Sequence, residues 1–71
     1  MTQNEMILRY LQDNGSITPL DAIREFGCLR LSARIADLRA KGHEIETEIQ
    51  VSKNRYGNNV GYARYTLKRG A

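Results

Sequence analysis

The 71 residues include no tryptophan, one cysteine, one proline and one histidine, and each scarcity removes a class of protein. A lone Cys28 cannot form an internal disulfide, so a reducing cytoplasm is the expected setting. With one cysteine and one histidine, His43, there is no spaced ligand set for a structural metal. No stretch approaches the ~18 consecutive apolar residues of a membrane-spanning helix. Residues Thr2 to Glu5 are polar, and no signal peptide is expected. The glycines are scattered rather than gathered into a phosphate-cradling loop, and no nucleophile stands beside a base. Neither an enzyme nor a bound cofactor is therefore expected.

What is present is modest. The 41% hydrophobic content is ordinary for a globular chain. A chain this short buries only about 60% of its unfolded surface, so it reads as one domain, residues 1–71, with a small core. The net charge of +3 and a pI of about 9.4 are compatible with a polyanionic partner.

Local signals divide the chain. Thr2-Gln3-Asn4-Glu5 has the form of a capping box, Met6, Ile7, Tyr10 and Leu11 follow at helical spacing, and Gly15 stops the run. This predicts a first helix over Gln3–Asn14. Ser16-Ile17 reads as a brief extended link. Thr18 then caps a second helix, with Pro19 at a position where its missing N–H costs nothing. Leu20, Ala22 and Ile23 are expected to face inward, with Phe26 closing the helix and Gly27 ending it. A third helix is expected from near Arg30 to Lys41, with a shorter start after Ser32 as the alternative and Gly42 just past its end. On it Leu31, Ile35 and Leu38 share one face and are expected in the core. Two helices around a tight glycine turn have the layout of a helix-turn-helix, whose second helix can enter a DNA major groove.

After Gly42 the hydrophobic period changes to two. Ile45, Thr47, Ile49 and Val51 alternate with Glu44, Glu46, Glu48 and Gln50, and after a polar stretch Ala63, Tyr65 and Leu67 alternate with Tyr62, Arg64 and Thr66. The expected hairpin register sets Val51 against Gly61, Ile49 against Ala63, Thr47 against Tyr65 and Ile45 against Leu67. Glu48 then opposes Arg64 and Glu44 opposes Lys68. The three glutamates suit a solvent face opposite basic residues better than a metal site. His43 is expected at the surface or against the helix end, and Cys28 as a small buried hydrophobe.

Three helices followed by a two-stranded antiparallel β-hairpin resemble the winged helix-turn-helix fold, an α+β architecture, over nearly the whole chain. More narrowly, the run Arg34-Ile35-x-x-Leu38-Arg39-x-x-Gly42-x-x-Ile45 is similar to the small winged helix-turn-helix domains common in bacteriophage and prophage proteins. The resemblance implies sequence-specific binding of double-stranded DNA, in a transcriptional regulator or an excisionase-like accessory factor. Winged helices also serve as protein-binding modules, so a small phage-encoded inhibitor of a host complex is the competing reading.

The candidate interface falls in two groups. On the third helix Arg30, Arg34, Asp37 and Lys41 share a stripe beside the buried one. Arginine can bind guanine through O6 and N7, and Asp37 either orients an arginine or accepts from a cytosine amino group. Ser32 and Ala33 belong with them at the start of the helix. Ala33, Ala36 and Ala40 face away from the core and would let the backbone approach base edges. The plain alternative is a solvated face knit by Arg34–Asp37 and Asp37–Lys41 pairs. In the hairpin, Lys53, Arg55 and Tyr56 lie in the loop and Arg64, Lys68 and Arg69 beyond it; a loop with Lys and Arg at its tip can lie along a phosphate backbone or dip into a minor groove. A domain this small is expected to need a second copy, or clustered sites, for useful specificity.

Overall fold

The computed structural model describes residues 2–68. Arg69, named above with the basic residues after the hairpin, lies outside them. The elements in chain order are α1 (Gln3–Asn14), β1 (Ser16–Ile17), α2 (Pro19–Phe26), α3 (Leu31–Ala40), β2 (Ile45–Lys53) and β3 (Asn59–Leu67).

Both first helices start and stop where side-chain chemistry directs. The Thr2 hydroxyl accepts from the Glu5 N–H at 3.2 Å. The Thr18 hydroxyl accepts from the Asp21 N–H at 3.2 Å, while the Asp21 carboxylate accepts from the Thr18 N–H at 3.1 Å, a reciprocal capping box. Gly27 ends α2 at φ +62°, a left-handed conformation that a residue with a Cβ adopts at a cost. After α3, the Gly42 N–H donates to Arg39 O and the His43 N–H to Leu38 O, the paired bonds of a Schellman stop. The third helix is one residue shorter at each end than expected, with Arg30 and Lys41 as its flanking caps.

The core gathers Ile7 and Leu11 of α1, Ile17, Ala22, Cys28, Leu31, Ile35 and Leu38 with Ile45 and Tyr65 of the hairpin. Tyr10 and Phe26 pack edge to face beside it, ring centres 5.7 Å apart. Two expectations are corrected. Leu20 and Ile23 do not face inward: they are exposed, and of the three residues named for α2 only Ala22 is buried. Ala22 and Phe26 set the inward stripe of this eight-residue helix, and the small Ala22 side chain lets α2 sit close to the core. Leu20 and Ile23 fall on the outer stripe. The two-stranded hairpin is present as expected, but a third strand joins it. Ser16-Ile17, expected as a link, is a strand paired antiparallel with β3, giving the order β1-β3-β2. Ile17 opposes Tyr65 on the core side, which is what carries the hairpin against the helices.

The β2–β3 register is the expected one, from Ile45 opposite Leu67 to Val51 opposite Gly61, with Glu48 opposite Arg64. The side-chain charges resolve differently. The Lys68 ammonium pairs diagonally with Glu46 at 3.1 Å, although its own N–H bonds Glu44 O. The Glu46 carboxylate, through its hydrogen bond and then its charge, raises the Lys68 pKa above the ordinary lysine value. Arg64 turns away from Glu48 and donates to the Ser16 hydroxyl at 3.1 Å. Glu48 and Arg64 form a backbone-bonded pair, where side chains stand farther apart, and Ser16 on the neighbouring strand is the nearer acceptor.

Candidate nucleic-acid interface

Helix α3 turns one face to the core and leaves the rest to solvent or to flanking groups. Leu31, Ile35 and Leu38 are buried. At 3.6 residues per turn the opposite face is Ala33, Ala36 and Ala40. One flank carries Arg30, Arg34, Asp37 and Lys41, and the other Ser32 and Arg39. A helix presenting only methyl groups between two polar flanks can approach another surface more closely than one bristling with long side chains.

The flank beside α1 is partly tied down. The Arg34 guanidinium lies 3.5 Å from the Asp37 carboxylate, with the two side chains 35% and 46% exposed. Asn4 of α1 donates to the same carboxylate oxygen at 3.5 Å. Among the described residues, Arg34 Nε and Asn4 Oδ1 are buried side-chain atoms without a hydrogen-bond partner. Arg34 is thus held loosely, by one long contact, with bonding capacity left over. Arg30 is exposed, and as N-cap of α3 it makes no side-chain capping bond. The first N–H groups of α3 therefore have no side-chain cap, and Ser32 stands exposed among them. The turn between α2 and α3 buries Cys28, as expected, and leaves Leu29 83% exposed beside Arg30.

Arg39 on the other flank had no role assigned from the sequence. Its Nη2 donates to Ile45 O at 2.7 Å and to the Thr47 hydroxyl at 2.8 Å, and its Nε donates to Ile45 O at 3.0 Å. One side chain thereby clamps the start of β2 to α3 and sets the hairpin's position relative to the helix. Its partners are a backbone carbonyl and a threonine whose proximity only the fold creates, so the only signal in the sequence was an arginine spaced six residues before Ile45.

The far end of the hairpin is organised by Asn54. Its side-chain oxygen accepts from the N–H groups of Tyr56 at 2.9 Å and Asn58 at 3.1 Å. The Asn54 N–H bonds Asn58 O at 2.9 Å and the Gly57 N–H bonds Asn54 O at 3.1 Å. The loop is therefore a built turn that projects Arg55 and Tyr56, both exposed, with Lys53 exposed just below them. Arg64, grouped with these from the sequence, lies instead near the base of the sheet against Ser16. Glu44, Glu46 and Glu48 are exposed, and among the described residues no three His, Cys, Asp or Glu side chains come together as a metal site. No helix among them is long and apolar enough to cross a membrane.

A family model described as a winged helix-turn-helix domain matches residues 2–70. No curated protein and no solved structure matches the chain.

Proposed function

The chain belongs to the winged helix-turn-helix family, a family that points to DNA binding in general, and from that premise we propose a sequence-specific binder of double-stranded DNA. In this reading α3 lies in the major groove and the β2–β3 hairpin is the wing on the phosphate backbone. The observation that carries it is the outer face of α3: three alanines between Arg30, Arg34 and Lys41 on one side and Ser32 on the other, with the wing clamped to that helix by Arg39.

The roles follow from chemistry. Arg30, exposed at the N-terminal end of the recognition helix, reads a guanine through two parallel hydrogen bonds. Arg34, only loosely held by Asp37 and with bonding capacity left over, reads or supports a neighbouring base. Ala33 packs against a base edge or thymine methyl. Ser32 and the uncapped N–H groups beside it suit a phosphate. Lys41, Lys53, Arg55 and Tyr56 add contacts to the backbone, which fix position without reading sequence; Arg64, bonded to Ser16, contributes charge from farther away. The biological setting we propose is a cytoplasmic regulator or excisionase-like accessory factor of phage type, without catalytic activity or cofactor.

Selection from random duplexes followed by sequencing tests this. An enriched motif is expected. Arg30→Ala should cost about 1–3 kcal/mol on that motif and relax choice at one base position. The competing reading, a grip on a protein partner, draws on the exposed Leu20, Ile23 and Tyr62, which line a cavity of about 530 Å³ between α2 and the wing. It would be favoured by no enriched motif and by DNA affinity that is weak at every salt concentration.

A further inference from the structure

The outer half of the hairpin is apolar where nothing covers it. Ile49 is 69% and Val51 66% exposed. A two-stranded ribbon alone in water is marginal, and β2 is an edge strand of nine residues, a ready template for another strand.

The hydrogen-bond pattern shows where that template is open. Lys68 N–H bonds Glu44 O, and Asn54 N–H bonds Asn58 O. Even-numbered residues of β2 therefore face β3, and Ile45, Thr47, Ile49, Val51 and Lys53 turn their backbone groups outward. At the base, Ile45 O is already taken by Arg39. From Thr47 to Lys53 the edge stays open.

We propose that this edge pairs with the same edge of a second copy, antiparallel, with Gln50 opposite Gln50. The result is a six-stranded sheet, β1-β3-β2 continued by β2-β3-β1 of the second copy. In this register each Ile49 opposes Val51 of the other copy, joining the exposed apolar side chains on one face. Thr47 opposes Lys53, Glu48 opposes Ser52 and Glu46 opposes Asn54. Centring on Ile49 would require the carbonyl of Ile45 that Arg39 holds. Centring on Val51 would set Ile49 against Lys53. The charge gradient of the strand favours the antiparallel sense: Glu44, Glu46 and Glu48 lie at its base, and Lys53 and Arg55 at its tip. Pairing head to tail keeps the acidic bases of the two copies apart and places no like charges directly opposite: on one face the glutamates meet Ser52 and Asn54, and on the other Lys53 meets Thr47. The two-fold axis stands perpendicular to the sheet, so both α3 helices lie on the same side of it.

The inference stands apart from the DNA reading, and its test uses the full chain without DNA. Sedimentation equilibrium up to about 1 mM, the range of weak interfaces, is expected to show monomer and dimer. Val51→Pro removes an outward N–H that β3 does not use; it should keep the thermal midpoint and weaken dimerisation at least about tenfold. Should that variant fail to fold, cysteine cross-linking decides. Gln50→Cys should form an intermolecular disulfide readily, because opposed residues of a non-hydrogen-bonded pair have Cα atoms about 4.5 Å apart. Ser52→Cys should not, since the register separates the two Ser52 positions by about 14 Å. Cys28 is buried and offers no competing thiol. A monomer throughout the range, a dimer untouched by a folded Val51→Pro, or cross-linking as fast at position 52 as at position 50 would each overturn the proposal.

Discussion

At the base of the hairpin Ile45 and Tyr65 are 7% and 8% exposed; farther along the same face of the same sheet Ile49 and Val51 are 69% and 66% exposed. One period-two alternation runs through both halves, yet on this face only the lower half is packed against the core. There, β1 pairs with β3, Ile17 is fully buried and Arg39 holds Ile45. The upper half has a turn built by Asn54, and on this face nothing covers it. Alternation sets which residues share a face, whereas burial depends on what lies against that face. The lower half is a piece of the core, and the upper half is available for contact with another molecule.

The largest effect should come from removing a side chain at the base. Ile45→Ala is expected to cost about 2–5 kcal/mol, the range for truncating a buried aliphatic side chain. Ile49→Ala should change stability by less than about 0.5 kcal/mol. Denaturant unfolding of both variants checks the contrast, and equal losses would show that the outer half is packed in solution.

The tip should answer in binding instead. Lys53→Ala combined with Arg55→Ala is expected to leave the thermal midpoint unchanged and weaken all duplexes alike. The log–log salt slope should fall by about 1.8, or ~0.9 for each phosphate no longer neutralised. A changed base preference with affinity kept would make the loop a reader of sequence.

Arg39 joins the two halves of the hairpin, since it fixes the base and thereby aims the tip. Arg39→Ala should cost about 1 kcal/mol of stability, as expected for hydrogen bonds at a partly exposed site. It should also weaken DNA binding without altering base preference. Arg39→Lys should restore little, because an ammonium lacks the planar fork that reaches Ile45 O and the Thr47 hydroxyl together. Unaltered stability and affinity in both variants would leave the clamp without consequence.

Legibility in the sequence followed locality. The bounds of α1 and α2 were readable because Thr2, Thr18, Pro19, Gly15 and Gly27 act on their immediate neighbours. The hairpin register was readable because apolar and charged positions had to match on both faces at once. Strand β1 was not, being two residues long with its partners, Tyr65 and Thr66, far along the chain. The inward face of α2 is not legible, because hydrophobicity points to Leu20 and Ile23 while close approach selects Ala22. In the interface, the α3 stripe was visible as spacing. The clamp made by Arg39 was not, because its main acceptor is a backbone carbonyl, which every residue has. Arg34 was legible as a candidate, and its contacts with Asp37 and, through that carboxylate, Asn4 required the packing of α1 on α3.

The smallest expected effect separates order from charge at the tip. Asn54 contributes no formal charge, but its side-chain oxygen holds the N–H groups of Tyr56 and Asn58. Asn54→Ala removes both bonds from an exposed loop, and the thermal midpoint should fall by less than about 7 °C, corresponding to under about 1 kcal/mol in a domain of this size. Arg55 and Tyr56 would then have to be ordered at the moment of binding, at a cost of about 0.5–1 kcal/mol, or roughly two- to fivefold in affinity. Because Lys53 and Arg55 keep their charges and still reach the backbone, the salt slope should stay where it was. Asn54→Asp keeps the acceptor and adds a negative charge, so it should preserve the turn and weaken binding chiefly at low salt, where charge repulsion is least screened. Measured together, the two variants distinguish a preformed wing tip from one that is merely basic. Full affinity in Asn54→Ala would mean that the turn contributes nothing to binding, and that the difference between base and tip is one of burial alone.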